Sequence, residues 1–331
     1  HSSFSCEWKP TNPDTTSLFD HMYQLEGIPT IRVITDMDLY YKNSLKEEYQ
    51  PAEVLITDPA GEEIINTMAR IRTRGNVRKK VCGVPPAKID FSKEDLTEAG
   101  FLKLDDLKFV FPCGRSKLDQ ERLYREYLIY TIYELISEHA IHAALVRIEL
   151  EGATKVEYDF TGFVVEDEEE YERRKNATII EEGKITYGGI ERESFLKMTF
   201  FQYMIANTDW GVSTKHNLEI VKLNDEQLVL ALPYDYDFSG FVGHNYAEPN
   251  DQLPIKSVHQ RYYFPYEISL DEFDSMVVYY KSMQPAIIEK INNATYLKEK
   301  TRKACADYLM EFFELLDKPK RLKKSIIRKV R

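Results

Sequence analysis

From Thr30 apolar and polar positions alternate. Ile31, Val33, Thr35 and Met37 share one face opposite Arg32, Ile34 and Asp36, the period-two pattern of a half-buried strand. Two further strands, 52–57 and 63–73, flank Asp58-Pro-Ala-Gly61, whose proline and glycine suit a tight reversal. Short strands are expected again at 85–91, 145–150, 160–165, 218–221 and 228–232, the last two turned at Asn224-Asp225. The period becomes helical over 119–137, through Leu123, Tyr127, Tyr130 and Leu135. It is helical again over 194–206, where Phe195, Met198, Phe201, Met204 and Ile205 predict a buried helix. Ser269 with Glu272 three residues on is a capping-box signature for a helix to about residue 283, and helical stretches at 285–293 and 296–316 follow. Residues 1–28, punctuated by Pro10 and Pro13, lack a period and read as an arm. The expected organisation is α+β in two lobes: a strand-rich segment 29–166 with one long helix, a helix-rich segment 167–316, and a tail 317–331.

At 331 residues the chain can bury a full core, as one large domain or two lobes. A net charge of −11 argues against a protein that coats nucleic acid, since phosphate neutralisation needs a basic face. No apolar run is long enough for a transmembrane helix. The charge is uneven: residues 318–331 carry eight basic side chains and no acid, which makes a solvated helix end or a contact with an anionic surface. Cys6, Cys82, Cys113 and Cys305 show no CxxC and no metal spacing with histidine, against a structural zinc site. Cys82 and Cys113 can bridge if their Cα atoms approach within about 7 Å; buried free thiols are the other reading.

Two segments carry chemistry. In Arg72-Thr-Arg-Gly-Asn-Val-Arg-Lys-Lys80, five of nine residues are cationic around one glycine, either a charged surface loop or a phosphate-gripping turn led by Arg72 and Arg74. Lys88 follows on a short strand between apolar neighbours, snorkelling from an edge or aimed into a cleft. Glu126 lies mid-helix, and Glu166 ends a strand just before an acid-rich run. The second segment places Asp209 and Asn217 in one loop, then a hairpin, then Asp235 and Asp237. Oxygen ligands of this kind suit magnesium, manganese or calcium. Aspartates and asparagines also gather in loops because they satisfy turns.

In order, Arg72-Thr-Arg-Gly-Asn76, Pro86-Ala-Lys-Ile-Asp-Phe91, the Arg125-Glu126 helix, Gly162-Phe-Val-Val-Glu166, Asn207-Thr-Asp209 with His216-Asn217, and Pro233-Tyr-Asp-Tyr-Asp237 resemble the spore coat protein H (CotH) kinase-like family, over residues 70–245. The resemblance implies an atypical protein-kinase-like fold that binds ATP with Mg2+ or Mn2+ and transfers phosphate to a protein or other hydroxyl acceptor. It makes Asp209 the catalytic aspartate, with Asn217 and Asp235 as metal ligands and Asp237 as a second ligand or the true one. Lys88, steadied by Glu126, would reach the nucleotide phosphates; Arg74, with Arg72, would contact phosphate; Glu166 would lie near the hinge. Together with the opening His1, it points to an exported bacterial protein, with cytoplasmic residence left open. The chain departs from common kinases in lacking GxGxxG and in the eight positions from Asp209 to Asn217, longer than in the loop HRDxxxxN. That gap leaves room for a non-catalytic kinase-like binding module, and the same carboxylates would also serve metal-assisted phosphoester hydrolysis.

Overall fold

The computed structural model describes residues 16–152 and 156–327. Residues 1–15 of the expected arm and 328–331 of the tail lie outside them. In chain order the elements are α1 (Leu18–Gln24), β1 (Thr30–Thr35), α2 (Met37–Lys42), β2 (Gln50–Thr57), β3 (Glu63–Thr73), α3 (Arg78–Val81), β4 (Ala87–Phe91), α4 (Lys93–Glu98), β5 (Asp106–Val110) and α5 (Lys117–Ile136). There follow β6 (Ala143–Glu151), β7 (Val156–Val165), α6 (Glu168–Lys175), β8 (Ala177–Ile179), α7 (Arg192–Met204), β9 (Leu218–Leu223), β10 (Val229–Pro233), α8 (Leu270–Asn292), α9 (Glu299–Leu316) and α10 (Pro319–Ile326). The chain is thus α+β, strand-rich first and helix-rich second, in two compact units. Of the described residues, one holds 16–80, 85–111, 144–152 and 156–170; the other holds 81–84, 112–143 and 171–327. The long helix α5 groups with the second unit.

In the first unit the strands close a barrel in the order β1-β2-β3-β4-β5-β7-β6, with β6 returning parallel to β1. Alternation fills its interior: Ile31 and Val33, Ala52, Val54 and Ile56, Ala69 and Ile71, Ala87, Ile89 and Phe91, and Leu107 and Phe109 are buried. The residues between them face outward, and on β4 this puts Lys88 outside. The expected turn at 58–61 forms as an Asx-turn, Asp58 Oδ1 accepting from the N–H groups of Ala60 (2.8 Å) and Glu62 (2.9 Å). Gly61 takes φ +91° there. Met37 starts a helix rather than ending a strand, because Asp36 caps α2 by accepting from Leu39 N–H.

The second unit is built on a three-stranded sheet, β10-β9-β8, with α7 against β10 and α8 packed on α5 and α9. Its core is aromatic. Phe200 lies 5.8 Å from Tyr280 and 6.2 Å from Phe273, and Tyr280 lies 5.7 Å from Phe312, all buried. The Ser269–Glu272 capping box forms as expected, but α8 runs unbroken through Pro285 to Asn292. Phe273, Met276, Tyr280, Ile287 and Ile291 keep one buried stripe across the proline, so packing outweighs the missing N–H. The described part of the basic tail is α10, with Leu322 and Ile326 buried and Lys323 paired with Asp274 at 2.8 Å. No helix among the described residues is long and apolar enough to cross a membrane.

Cys82 and Cys113 form a disulfide with Cα atoms 4.5 Å apart, and Cys305 is free and buried. The bridge closes a loop across a separation of 31 residues. On the chain-entropy account its loss costs about 3–4 kcal/mol. The double substitution Cys82→Ser/Cys113→Ser is therefore expected to lower the urea midpoint, and reductant to do the same to the wild type. A wild-type midpoint indifferent to reductant would count against the bridge.

Candidate active site

The second unit assembles the loop 207–217 from the end of α7. Ala206 N–H donates to Tyr203 O (3.2 Å) and Asn207 N–H to Gln202 O (2.9 Å), a Schellman ending in which Ala206 takes φ +52°. Glycine is the usual residue at that position, so alanine there stores strain beside the loop. Asn207 Oδ1 then accepts from Asp209 N–H at 3.0 Å, and Trp210 Nε1 donates to Asn207 O at 3.2 Å. Trp210 is buried, its ring 5.0 Å from Phe264 and 5.7 Å from Tyr266. An aromatic anchor thus fixes the residue next to Asp209.

The eight positions from Asp209 to Asn217 are taken up by a local hairpin. Gly211 and His216 exchange backbone hydrogen bonds, each 3.0 Å, and the chain turns over residues 212–215. Asn217 consequently returns to Asp209. Its Nδ2 donates to Asp209 O at 2.7 Å and to Asp209 Oδ2 at 3.1 Å, while His216 Nε2 stands 2.9 Å from Oδ1. With its amide nitrogen so engaged, Asn217 presents its Oδ1 as a separate acceptor. The motif Asn207-Thr-Asp209 with His216-Asn217 includes His216 but gives it no role; its contact with Asp209 Oδ1 depends on the Gly211–His216 bridge.

The β9–β10 hairpin brings in the remaining carboxylates. Pro233 pairs with Leu218, and Tyr234 N–H donates to Asn217 O at 3.2 Å. Asp235 follows at once, exposed and at φ +55°, its N–H donating to Tyr130 Oη at 3.0 Å. Tyr236 points inward, 4.8 Å from Tyr130 and 5.8 Å from Phe201, and its hydroxyl donates to Pro233 O at 2.7 Å. Asp237 is buried, with Tyr246 Oη donating to its Oδ2 at 2.8 Å. The turn is sewn to α7 by Gly240 N–H to Ala206 O (3.0 Å) and Phe241 N–H to Ile205 O (3.1 Å). A Cβ on Gly240 would collide with the backbone of Val258 and His259, so only glycine fits. Asp209, Asn217 and Asp235 thus stand at one end of one hairpin. Glu126 is buried on α5 one turn before Tyr130, on the same helix face.

Asn217 and Asp235 are hard oxygen donors and fit Mg2+ or Mn2+, which are held by one or two protein oxygens plus phosphates. Among the described residues no three His, Cys, Asp or Glu side chains form a self-sufficient metal cage.

In the first unit Arg74 N–H donates to Pro86 O at 2.9 Å, and Gly75 takes φ +84°, so the cationic segment does turn at its glycine. Arg72 donates to Glu47 at 2.8 Å and lies 5.2 Å from the Tyr49 ring. Lys88 pairs with Asp106 at 2.5 Å. Burial opposes the charge on Lys88, but Asp106 outweighs it and the ammonium pKa lies above its ordinary value. Glu166 is buried at the end of β7.

A crystal structure of the Helicobacter pylori proinflammatory kinase CtkA is similar to this chain at 10% sequence identity and a TM-score of 0.44, over 75% of this chain and 93% of that one. No family model matches the sequence, and no curated protein matches it.

Asn217 combines a left-handed backbone, φ +51°, with the two bonds to Asp209. Asn217→Ala loses both and is expected to destabilise by about 2–3 kcal/mol. Asn217→Gly restores the backbone freedom and should recover about 1 kcal/mol of that. Denaturant unfolding of the two variants measures the difference, and equal stabilities would mean that the backbone is not strained there.

Proposed function

We propose that the chain is a kinase-like phosphotransferase of the CotH kind, which uses ATP and Mg2+ or Mn2+ to phosphorylate a protein or another hydroxyl acceptor. The observation that carries this reading is the group of Asp209, Asn217 and Asp235 at the mouth of the β9–β10 hairpin, with Asn217 Nδ2 clasping Asp209. Phosphoryl transfer calls for one aspartate to orient the attacking hydroxyl and for an amide and a second aspartate to hold the cation.

Asp209 is the base. Its Oδ2 is held by Asn217 and its Oδ1 by His216, so the carboxylate is aimed rather than free to rotate. The acceptor oxygen bonds to the γ-phosphorus, the bond to the β–γ bridging oxygen breaks with its electron pair leaving on ADP, and the acceptor proton passes to Asp209. Asn217 Oδ1 and Asp235 hold the cation, which when bound neutralises charge on the phosphates. Asp235 is preferred to Asp237 because it is exposed at the hairpin end, whereas Asp237 is buried and takes a hydrogen bond from Tyr246. Lys88, Arg72 and Arg74 have the chemistry to bind phosphate, and Glu126 and Glu166 keep the roles the family resemblance implies. The setting of that family, an exported bacterial protein, goes with this reading. The hairpin that absorbs the long Asp209–Asn217 gap supports an active enzyme over a binding module.

Purified protein with ATP and magnesium or manganese should unfold a few degrees higher, as about 2–3 kcal/mol of binding stabilisation requires at ligand well above Kd. It should also transfer labelled phosphate to an acceptor. Asp209→Ala should lower transfer about 100-fold or more while keeping the nucleotide-dependent stabilisation. Asp235→Ala should lose the metal dependence of that stabilisation, and Asp237→Ala should instead lower stability without ligand. Phosphate released only to water would assign hydrolysis instead, and no stabilisation or transfer in wild type or variants would sink the proposal.

A further inference from the structure

Register across the barrel places Arg72 opposite Lys88 and Lys88 opposite Lys108. Directly opposed residues on adjacent strands point to the same face, so β3, β4 and β5 carry three cations in one row on the outside of the barrel. Like charges in that position repel. The neighbouring row on the same face shows the ordinary solution: Arg70, Asp90 and Asp106 mix signs, and Arg70 pairs with Asp90. The all-cation row instead borrows its counter-charges from outside itself. Arg72 takes Glu47 from the loop before β2, Lys88 takes Asp106 diagonally, and Lys108 takes Asp167 (3.0 Å) and Glu168.

The row is also recessed. The side chains of Arg72, Lys88 and Lys108 are only 21%, 17% and 14% exposed, where cations of this length normally stand in water. Directly opposed like charges are not what cross-strand pairing favours, and each of the three is held in its half-buried place by a carboxylate from outside the row. Three adjacent strands span about 9.5 Å, the scale of an extended triphosphate. Each borrowed carboxylate already satisfies the donors that phosphate oxygens would take, through the same charge-assisted bonds.

We propose that Lys108 is a further phosphate-binding residue, the third member of a row with Arg72 and Lys88 that takes a linear polyphosphate anion. The inference rests on the kinase reading only for the source of that anion, a nucleoside triphosphate; the row itself selects the phosphate chain. The sequence left Lys108 unmarked because it stands in Asp106-Leu-Lys-Phe-Val110 with no cationic neighbour. Only pairing puts it beside Lys88.

The test is calorimetric titration of the full chain at low salt with inorganic tripolyphosphate without metal and, separately, with ATP and magnesium. Lys108→Gln should weaken tripolyphosphate binding about ten-fold or more, as Lys88→Gln should, and Lys108→Arg should stay within about three-fold of wild type. Because Lys108→Gln strands the Asp167 carboxylate, the paired variant Lys108→Gln/Asp167→Asn guards against a loss that is merely misfolding, and it should show the same weakening. Binding of both ligands by that variant at wild-type affinity overturns the inference. If ATP binding needs Lys88 and not Lys108, the inference fails while the kinase reading stands. Tripolyphosphate binding that needs Lys108, without any ATP binding, keeps the inference and removes the nucleotide reading. A wild type that binds neither ligand removes both.

Discussion

The side-chain amide of Asn217 reaches back across the loop to the backbone and carboxylate of Asp209, and the candidate site takes its shape from that contact. It depends on the Gly211–His216 bridge, which folds the intervening residues out of the way. It also depends on a left-handed backbone at Asn217, a conformation that asparagine tolerates better than most residues. Asp235 shares that conformation, as does Ala206 at the loop's entry. With Lys215 in the loop's turn, that makes four non-glycine residues in a sparsely populated region within one stretch of chain, and they mark where the surrounding structure imposes geometry on the backbone.

What imposes it is aromatic packing. Trp210 is held among Phe264 and Tyr266, and Tyr236 among Tyr130 and Phe201, so the residues flanking Asp209 and Asp235 are anchored in the core while the carboxylates are left at its edge. The Tyr-Asp-Tyr-Asp segment reads as alternating carboxylates, but its two aspartates fare differently. Tyr236 goes inward, Asp235 outward, and Asp237 into a buried hydrogen bond with Tyr246. In the first unit the strands obey the opposite economy. The barrel interior is apolar apart from Thr35, Gln50 and Thr73 at one end, and the like charges lie outside, where Arg72, Lys88 and Lys108 share one row.

Much of this was legible in the residues. The hairpin at 58–61 follows from Asp-Pro-Ala-Gly, the start of α8 from Ser269 and Glu272, and the buried character of α7 from its apolar run. In each case the signal is local, a cap, a turn or a period, and local signals survive folding when packing agrees with them. Pro285 shows the limit: read locally it ends a helix, yet the buried stripe from Phe273 to Ile291 carries α8 through it. Nor could the chain order reveal that α5 belongs with the second unit, since its neighbours on both sides are strands of the first.

The sequence by itself determined the α+β character, the order of strands before helices, and the residue types available for chemistry, because period, turn chemistry and side-chain functional groups are properties of short stretches. Tertiary structure alone decided which of those groups meet. It settled that Cys82 and Cys113 bridge, that Asn217 clasps Asp209 despite a long loop, that Lys88 rests on Asp106, and that Lys108 stands beside it. Those are distances between residues far apart in the chain or out of phase in a loop, and they exist only once backbone pairing and the aromatic core have fixed the register.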